Sequence, residues 1–294
     1  ATFSYSQCCG QGTPMRGVGN LGVLKKKDLQ VVLFHKYSSS VNQTADNPYL
    51  ILDANYNFIG TSISYGITNK MTVETELGYF INKTQRYKLD PIYTLKGFGL
   101  TNGVISLKRT IYKTAAPNWE IVGGLGFKFP FTTSYQMVDG VQLPIDNQPS
   151  TCAFGIVPKI LVFKKFPKKE VTILFIHRPD INFKNSNNYT YVSGFTSALF
   201  FSKQFNFISK GTTGVLQIRN EIRLRDVKTD GQLAETTGSA VVFISPQVGQ
   251  VFLKNYFISF AYDFPVYQHF NTEKLKYKHA FTFSLVANFP SKKD

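Results

Sequence analysis

The chain has 294 residues, a formal net charge of +15, and 15% aromatic residues, with 27 Phe and 16 Tyr. No run of about 18 apolar residues occurs, which argues against helical membrane spans. Nor does any long segment carry apolar residues at the three-to-four spacing of a helix. The basic excess would suit nucleic acid, but it gathers at chain ends and turn-like sites such as Lys25-Lys26-Lys27, Lys164-Lys165, Lys168-Lys169 and Lys292-Lys293. No nucleic-acid partner is therefore expected.

The first segment, 1–28, carries glycines at 10, 12, 17, 19 and 22 without sustained alternation. It reads as an arm that lies outside a folded wall or plugs it. It shows no charged region followed by an apolar core and no initiator Met, so the expectation is a mature, exported chain whose signal has been removed. Cys8, Cys9 and Cys152 are the three cysteines. Adjacent Cys8 and Cys9 would bridge each other only with strain, so either one of them pairs with Cys152 or all are free thiols. The spacing lacks the second pair of a metal site, and no metal or cofactor is expected.

From Leu29 onward the chain alternates with a period of two, the mark of strands. Twelve candidates follow: Leu29–Ser39, Tyr49–Ile67, Met71–Asn82, Phe98–Tyr112, Asn118–Thr133, Ser150–Phe166, Glu170–Phe183, Tyr189–Lys203, Thr212–Val227, Thr236–Phe252, Tyr256–His269 and Leu275–Phe289. Soluble strands run to about five or six residues, whereas a tilted membrane strand needs about nine to eleven. Most of these runs exceed that. Tight connections (Thr68–Lys70, Pro167–Lys169, Leu253–Asn255) alternate with longer polar ones (Ser40–Pro48, Lys83–Gly97, Ser134–Pro149). An even strand count, long strands and alternating connection lengths predict an all-β fold, a closed antiparallel transmembrane barrel of about 12 strands with periplasmic termini. Residues 29–289 would form the barrel and 290–294 a short basic tail.

In such a wall one face of each strand meets lipid and the other the lumen. On the last strand Phe281, Phe283, Leu285 and Phe289 share a face, with Tyr277 and His279 in the same phase; Thr282, Ser284 and Asn288 share the other. Glu74 and Glu76 must point inward, because unpaired charge on a lipid face is costly. The ninth candidate is the most polarised: Leu216, Ile218, Ile222 and Leu224 oppose Gln217, Arg219, Glu221, Arg223 and Arg225. Lys128, Lys159 and Asp263 fall on inward phases of their own strands. These ten residues are the candidate lumen lining. Trp119, Tyr65, Tyr79, Tyr189, Tyr256 and Tyr277 lie near strand ends and suit interfacial girdles. Tyr49–Tyr56 reads out of phase with Ile59–Ile67, which marks either a bulge or a part of the strand outside the bilayer. Pro158, Pro246 and Pro265 should break the ladder locally. Arg109 shares the phase of Ile105 and Leu107, so either it snorkels at the periplasmic rim or the phase is shifted there.

Gln7-Cys8-Cys9-Gly10, Pro14 and Gly17-Val18-Gly19-Asn20-Leu21-Gly22-Val23-Leu24 resemble the start of small Bacteroidota outer-membrane barrels of the transporter and porin kind. Over 29–289 the chain resembles Gram-negative outer-membrane β-barrels generally. The last strand is similar to their C-terminal insertion signal, except that Pro290-Ser291-Lys292-Lys293-Asp294 follows Phe289. The resemblance implies a bacterial outer membrane, with its lipid and lipopolysaccharide as surroundings and other outer-membrane or periplasmic proteins as further partners. Two functions follow. One is a passive channel for a small solute, with charges that select permeants by sign and size. The other is a structural or interaction subunit whose charges pair across a closed or plugged lumen, as side chains fill narrow barrels. A membrane-embedded hydrolase would need a nucleophile beside one of His35, His177, His269 or His279, and no such motif stands next to them. The expectation is a non-enzyme.

Overall fold

The computed structural model describes residues 22–42, 51–89, 91–115, 118–191, 193–205, 211–235, 237–253, 255–271 and 275–291. Fifteen strands appear in chain order: β1 (Leu29–Val41), β2 (Ile51–Thr68), β3 (Met71–Tyr87), β4 (Tyr93–Leu100), β5 (Gly103–Lys113), β6 (Trp119–Phe129), β7 (Met137–Val138), β8 (Val141–Gln142), β9 (Gly155–Phe166), β10 (Val171–Asn182), β11 (Gly194–Phe205), β12 (Thr212–Arg223), β13 (Ser239–Phe252), β14 (Tyr256–Phe270) and β15 (Lys276–Phe289). β7 and β8 form a tiny hairpin of their own. The other thirteen make one antiparallel sheet.

That sheet closes on itself. β15 pairs with β1 from Leu29↔Phe289 to Val41↔Lys276, and β2 pairs with both β1 and β3. β4 and β5 take one place in the wall: β4 pairs with the far half of β3 and β5 with its near half. The barrel therefore has twelve wall positions. Closure leaves no free edge around the wall apart from that of β4, which pairs with β3 alone.

The large apolar side chains at alternate positions point outward. Leu33, Ile63, Leu107, Phe127, Leu216, Ile218, Phe260 and Phe283 are all exposed, and so are Tyr65, Tyr79 and Trp119. An apolar band of this kind on a closed antiparallel wall is what a lipid-facing barrel presents. Arg109 is exposed on this outer face, beside Met71 at the short-turn end, as its phase predicts.

The prolines interrupt the ladder as expected. Pairing of β9 with β10 lapses between His177↔Ile160 and Ile181↔Ile156, around Pro158 and Pro179, and that of β13 with β14 between Ile244↔Phe264 and Gln247↔Ala261, beside Pro246, the register being the same on both sides of each gap. The register shifts at Val242/Phe243, next to Pro265. The predicted phase break falls in β2 at Leu52: Ile51 pairs with Tyr87 and Asp53 with Arg86, so buried Ile51 lies on the opposite parity to Ala54, Tyr56, Phe58, Gly60, Ser62 and Ser64, which are all buried on one face. A second bulge lies across the ladder in β3, where Asn57 pairs with Asn82 and Phe58 with Phe80, leaving Ile81 extra. It turns Lys83 and Gln85 inward.

The inner face is not small throughout. Phe34, Phe58 and Phe80 pack in the lumen with Val32, Tyr56, Leu275 and Val286, and Phe58 and Phe80 meet edge-on at 5.0 Å. Gly60 and Gly78 make room for them: a Cβ on Gly78 would sit 2.3 Å from the Phe58 ring, and one on Gly60 2.2 Å from that of Phe34. Across the barrel Val122, Leu161, Phe163, Leu174, Ile176, Phe200 and Val215 form a second inward cluster, against which Val23 packs. Phe200 lies on an inner face that otherwise carries the small residues Thr196, Ala198 and Ser202. Leu24, 6% exposed, donates its N–H to Thr72 Oγ1 (2.8 Å), so the chain just before β1 enters the short-turn end. Residues 1–21 of the 1–28 arm, with Cys8 and Cys9, lie outside the described residues. Cys152 is a buried free thiol.

Several strand candidates ran past their strands. β9 starts at Gly155, β11 at Gly194 and β12 stops at Arg223. Their extra residues fold as loops at the long-loop end. Tyr189 and Tyr191, expected to face outward, are 7% and 1% exposed. Tyr277, expected in a girdle, packs instead on inward Phe243 and Phe270. The register shift between Ser39 and Ser40, which skips Lys278, has reversed its phase.

Candidate functional site

Inward charges form two ionic knots in the lumen and a third group at its mouth. The first knot centres on Glu74, whose side chain is 1% exposed. Lys108 Nζ donates to its Oε2 and Lys159 Nζ to its Oε1, each at 2.9 Å, and Ser64 Oγ adds a bond of 3.0 Å to Oε2. Lys159 also reaches Glu76 (3.0 Å), and Arg178 Nη2 binds the other Glu76 oxygen at 3.0 Å. Lys128 pairs with Asp180. The Lys108 bond joins neighbouring strands, whereas those of Lys159 and Arg178 span part of the lumen. β3 and β10 stand four wall positions apart, yet Arg178 on one meets Glu76 on the other.

The second knot centres on Asp263. Lys36 Nζ (3.0 Å), Arg219 Nη2 (2.8 Å) and Ser245 Oγ (2.6 Å) all donate to its carboxylate. Arg219 also pairs through Nε with Glu221 (2.7 Å) and lays its guanidinium over the Phe243 ring at 4.6 Å. Gln217 Oε1 accepts from Arg219 Nη1 at 3.4 Å. Asp263 and Arg178 stand where the proline breaks open the β13–β14 and β9–β10 ladders.

At the long-loop end the chain between β6 and β9, residues 130–154, dips into the barrel. It carries β7, β8 and a single 3-10 turn, Ile145–Asn147, with Asp146 and Asn147 buried. Lys83 Nζ donates to Gln148 O (3.2 Å), while the Asn102 amide, at the β4–β5 break, donates to Thr151 Oγ1 (2.9 Å) and Ala153 O (2.7 Å). Across the mouth, Arg223 Nη2 holds both oxygens of Asp226 at 3.0 and 2.8 Å, and Tyr189 Oη donates to Asp226 Oδ2 at 2.9 Å. Burial, then the neighbouring Asp226, pushes the Tyr189 hydroxyl well above the ordinary phenol range. Burial likewise pushes the Asp146 carboxyl up to about 7, against the pull of Arg223 and Lys83.

Of the ten lumen candidates, nine lie on wall strands and within these groups: Glu74, Glu76, Lys128, Lys159, Gln217, Arg219, Glu221, Arg223 and Asp263. Arg225 stands apart, exposed in the loop after β12 ends at Arg223. The partners were missed. Lys36 and Lys108 share the inward phase of Val32 and Phe34 or of Ser106, a signal that was available. Arg178 and Asp180 follow Leu174 and Ile176 on a strand apolar on both faces, where alternation is silent. Lys83 depends on the β3 bulge, and Asp146 and Asp226 lie in loops. On the outer face, His177 Nδ1 and Ser197 Oγ lie 2.8 Å apart, satisfying two polar groups in apolar surroundings.

No protein-family model matches the sequence, and no curated protein sequence does. The fold is similar to that of an outer membrane channel from Pseudomonas putida F1, with a TM-score of 0.70 and 11% identity over 94% of this chain and 100% of that one. It is also similar to the β domain of the Bordetella autotransporter Brka, with a TM-score of 0.53 and 10% identity over 90% of this chain and 100% of that one. At such identities the likeness concerns the fold, that of a bacterial outer-membrane barrel. The short Bacteroidota-like opening lies almost wholly in the undescribed residues.

Proposed function

We propose that the chain is an outer-membrane β-barrel, with both termini in the periplasm, that passes a small solute down its gradient. Lipid and lipopolysaccharide cover the apolar outer band, and no catalysis is assigned to it. The observation that carries this reading is the pair of ionic knots: mixed-sign charges lie on the inner face and reach across the lumen. A buried ion pair is poor evidence for stability, since well-packed apolar residues of equal volume often do as well or better. A ring of opposed charges, in contrast, sorts permeants by sign and size.

A second reading has its own support. Lys108 and Arg219 are 1% and 2% exposed, and Leu24 occupies the short-turn end. A lumen filled to that degree suits a structural or interaction subunit among other outer-membrane or periplasmic proteins.

Conductance in a planar bilayer separates the two. A channel gives discrete steps, and Arg178→Gln, which opens the Glu76 bridge, raises their size and moves the reversal potential in a salt gradient toward cations. Correctly folded protein that never conducts overturns the channel reading, and co-purification of a partner from native membranes then supports the second.

A further inference from the structure

We propose that residues 130–154 form a pH-dependent seat in the mouth of the barrel, held down while the Asp146 carboxyl is protonated and loosened as it ionises. The seat is geometric first. Asp146 feels both Lys83 on β3 and Arg223 on β12, and those strands stand six positions apart in the twelve-position wall. The turn that carries Asp146, 2% exposed, therefore feels charges from opposite sides of the wall and is tied to β3 by the Lys83–Gln148 bond.

What holds it there is mostly polar. Leu143 is a large apolar anchor, 2% exposed, whereas Met137 and Val141 of the hairpin tip are 55% and 67% exposed. Lys83 donates to Gln148 O, Phe98 N–H to Gln136 Oε1, and Asn102 and Asn185 bond Thr151 and its neighbours, while Gln148 ties the loop to itself through Gln136 and Leu143.

The charged and titratable groups facing Asp146 are Lys83, Arg223, Asp226 and Tyr189. Lys83 and Arg223 draw the carboxyl toward ionisation, Asp226 opposes it, and burial outweighs the two cations. Arg223 is engaged with both Asp226 oxygens through Nη2, and Lys83 donates to Gln148 O. Asp146 Oδ1 is buried with no hydrogen-bond partner. A neutral acid tolerates that site far better than a carboxylate does.

The sign follows from linkage. The seated carboxyl titrates near 7, and the released one in the ordinary range near 4. Between those limits the released loop binds fewer protons, so raising the pH favours release, by about tenfold per unit. Above about 7 the effect levels off, and below about 4 it is absent. Acid seats the loop and neutral pH loosens it. Any effect on passage rests on the channel reading; the seating itself does not.

Amide hydrogen exchange of residues 141–151 in the lipid-reconstituted protein, corrected for intrinsic pH dependence, tests this. Opening is expected to rise by up to about a hundredfold between pH 5 and 7 in the wild type and to stay flat in Asp146→Asn. Identical profiles in the two proteins overturn the proposal. Arg223→Gln, which removes a cation, is expected to move the transition to higher pH; an unmoved transition also overturns it, even if Asp146→Asn fails to fold. Conductance recorded over the same range keeps the readings apart. Seating that titrates without conductance sinks only the channel reading, whereas conductance with untitrating exchange sinks only the seat.

Discussion

The inner face of this barrel is filled in two ways on its two sides. Along β15, β1, β2 and β3, aromatic rings lie over glycines, with Phe34 across Gly60 and Phe58 across Gly78. Between the lower half of β3 and strands β5 to β10, Glu74 and Glu76 with the cations that reach them fill the lumen beside the apolar cluster of Val122, Leu161, Leu174 and Ile176. The aromatic side gains from every contact by burying apolar area. The ionic side gains only while every member is present, because each charge left alone in a dry lumen keeps its full desolvation cost. Side chains can close a twelve-strand wall by either route, but only the ionic one leaves charges that a permeant could exchange with.

The sharpest way to break this contrast is to remove Glu74, since one carboxylate serves Lys108 and Lys159. Glu74→Ala is expected to destabilise the barrel by about 3–5 kcal/mol, read by urea unfolding in lipid vesicles. A loss under about 1 kcal/mol would mean that water reaches the lysines and the ionic side is wet.

A smaller loss is expected on the aromatic side from Gly78→Ala, because the new methyl would meet the Phe58 ring at 2.3 Å. Overpacking of this sort costs about 1–3 kcal/mol, and Phe58→Leu in the same protein should return part of it. If the two changes simply add, the ring is not what fills the space above Gly78.

The smallest effect belongs to the short-turn rim. Glu120 lies 3.6 Å from Lys113 and 3.8 Å from Lys165, both more than half exposed. Glu120→Gln should cost under about 1 kcal/mol and less still at high salt. A cost near that of Glu74→Ala would erase the difference between rim and lumen.

How far this was legible follows from what alternation reports. The outward faces of β12, β14 and β15 were readable residue by residue, since a charge such as Glu221 or Asp263 has only one tolerable side. Tyr189, Tyr191 and Tyr277 were assigned outward because the pattern continued through them. It failed there for physical reasons: β11 does not begin until Gly194, and the skipped Lys278 reverses the phase before Tyr277. No local periodicity marks residues 130–154 as turning back inside, because their buried polar side chains carry the same composition as an exposed loop.

The sequence alone determined the wall. Twelve long alternating runs joined by short and long connections have one economical arrangement, a closed antiparallel sheet with β15 against β1. Only the tertiary structure decided what fills it. A period of two says whether a side chain points in or out, but not its height or its bearing around the axis. Whether Arg178 meets Glu76 across the lumen, and whether Asp146 lies under Arg223, depends on barrel curvature and register shifts accumulated over many strands.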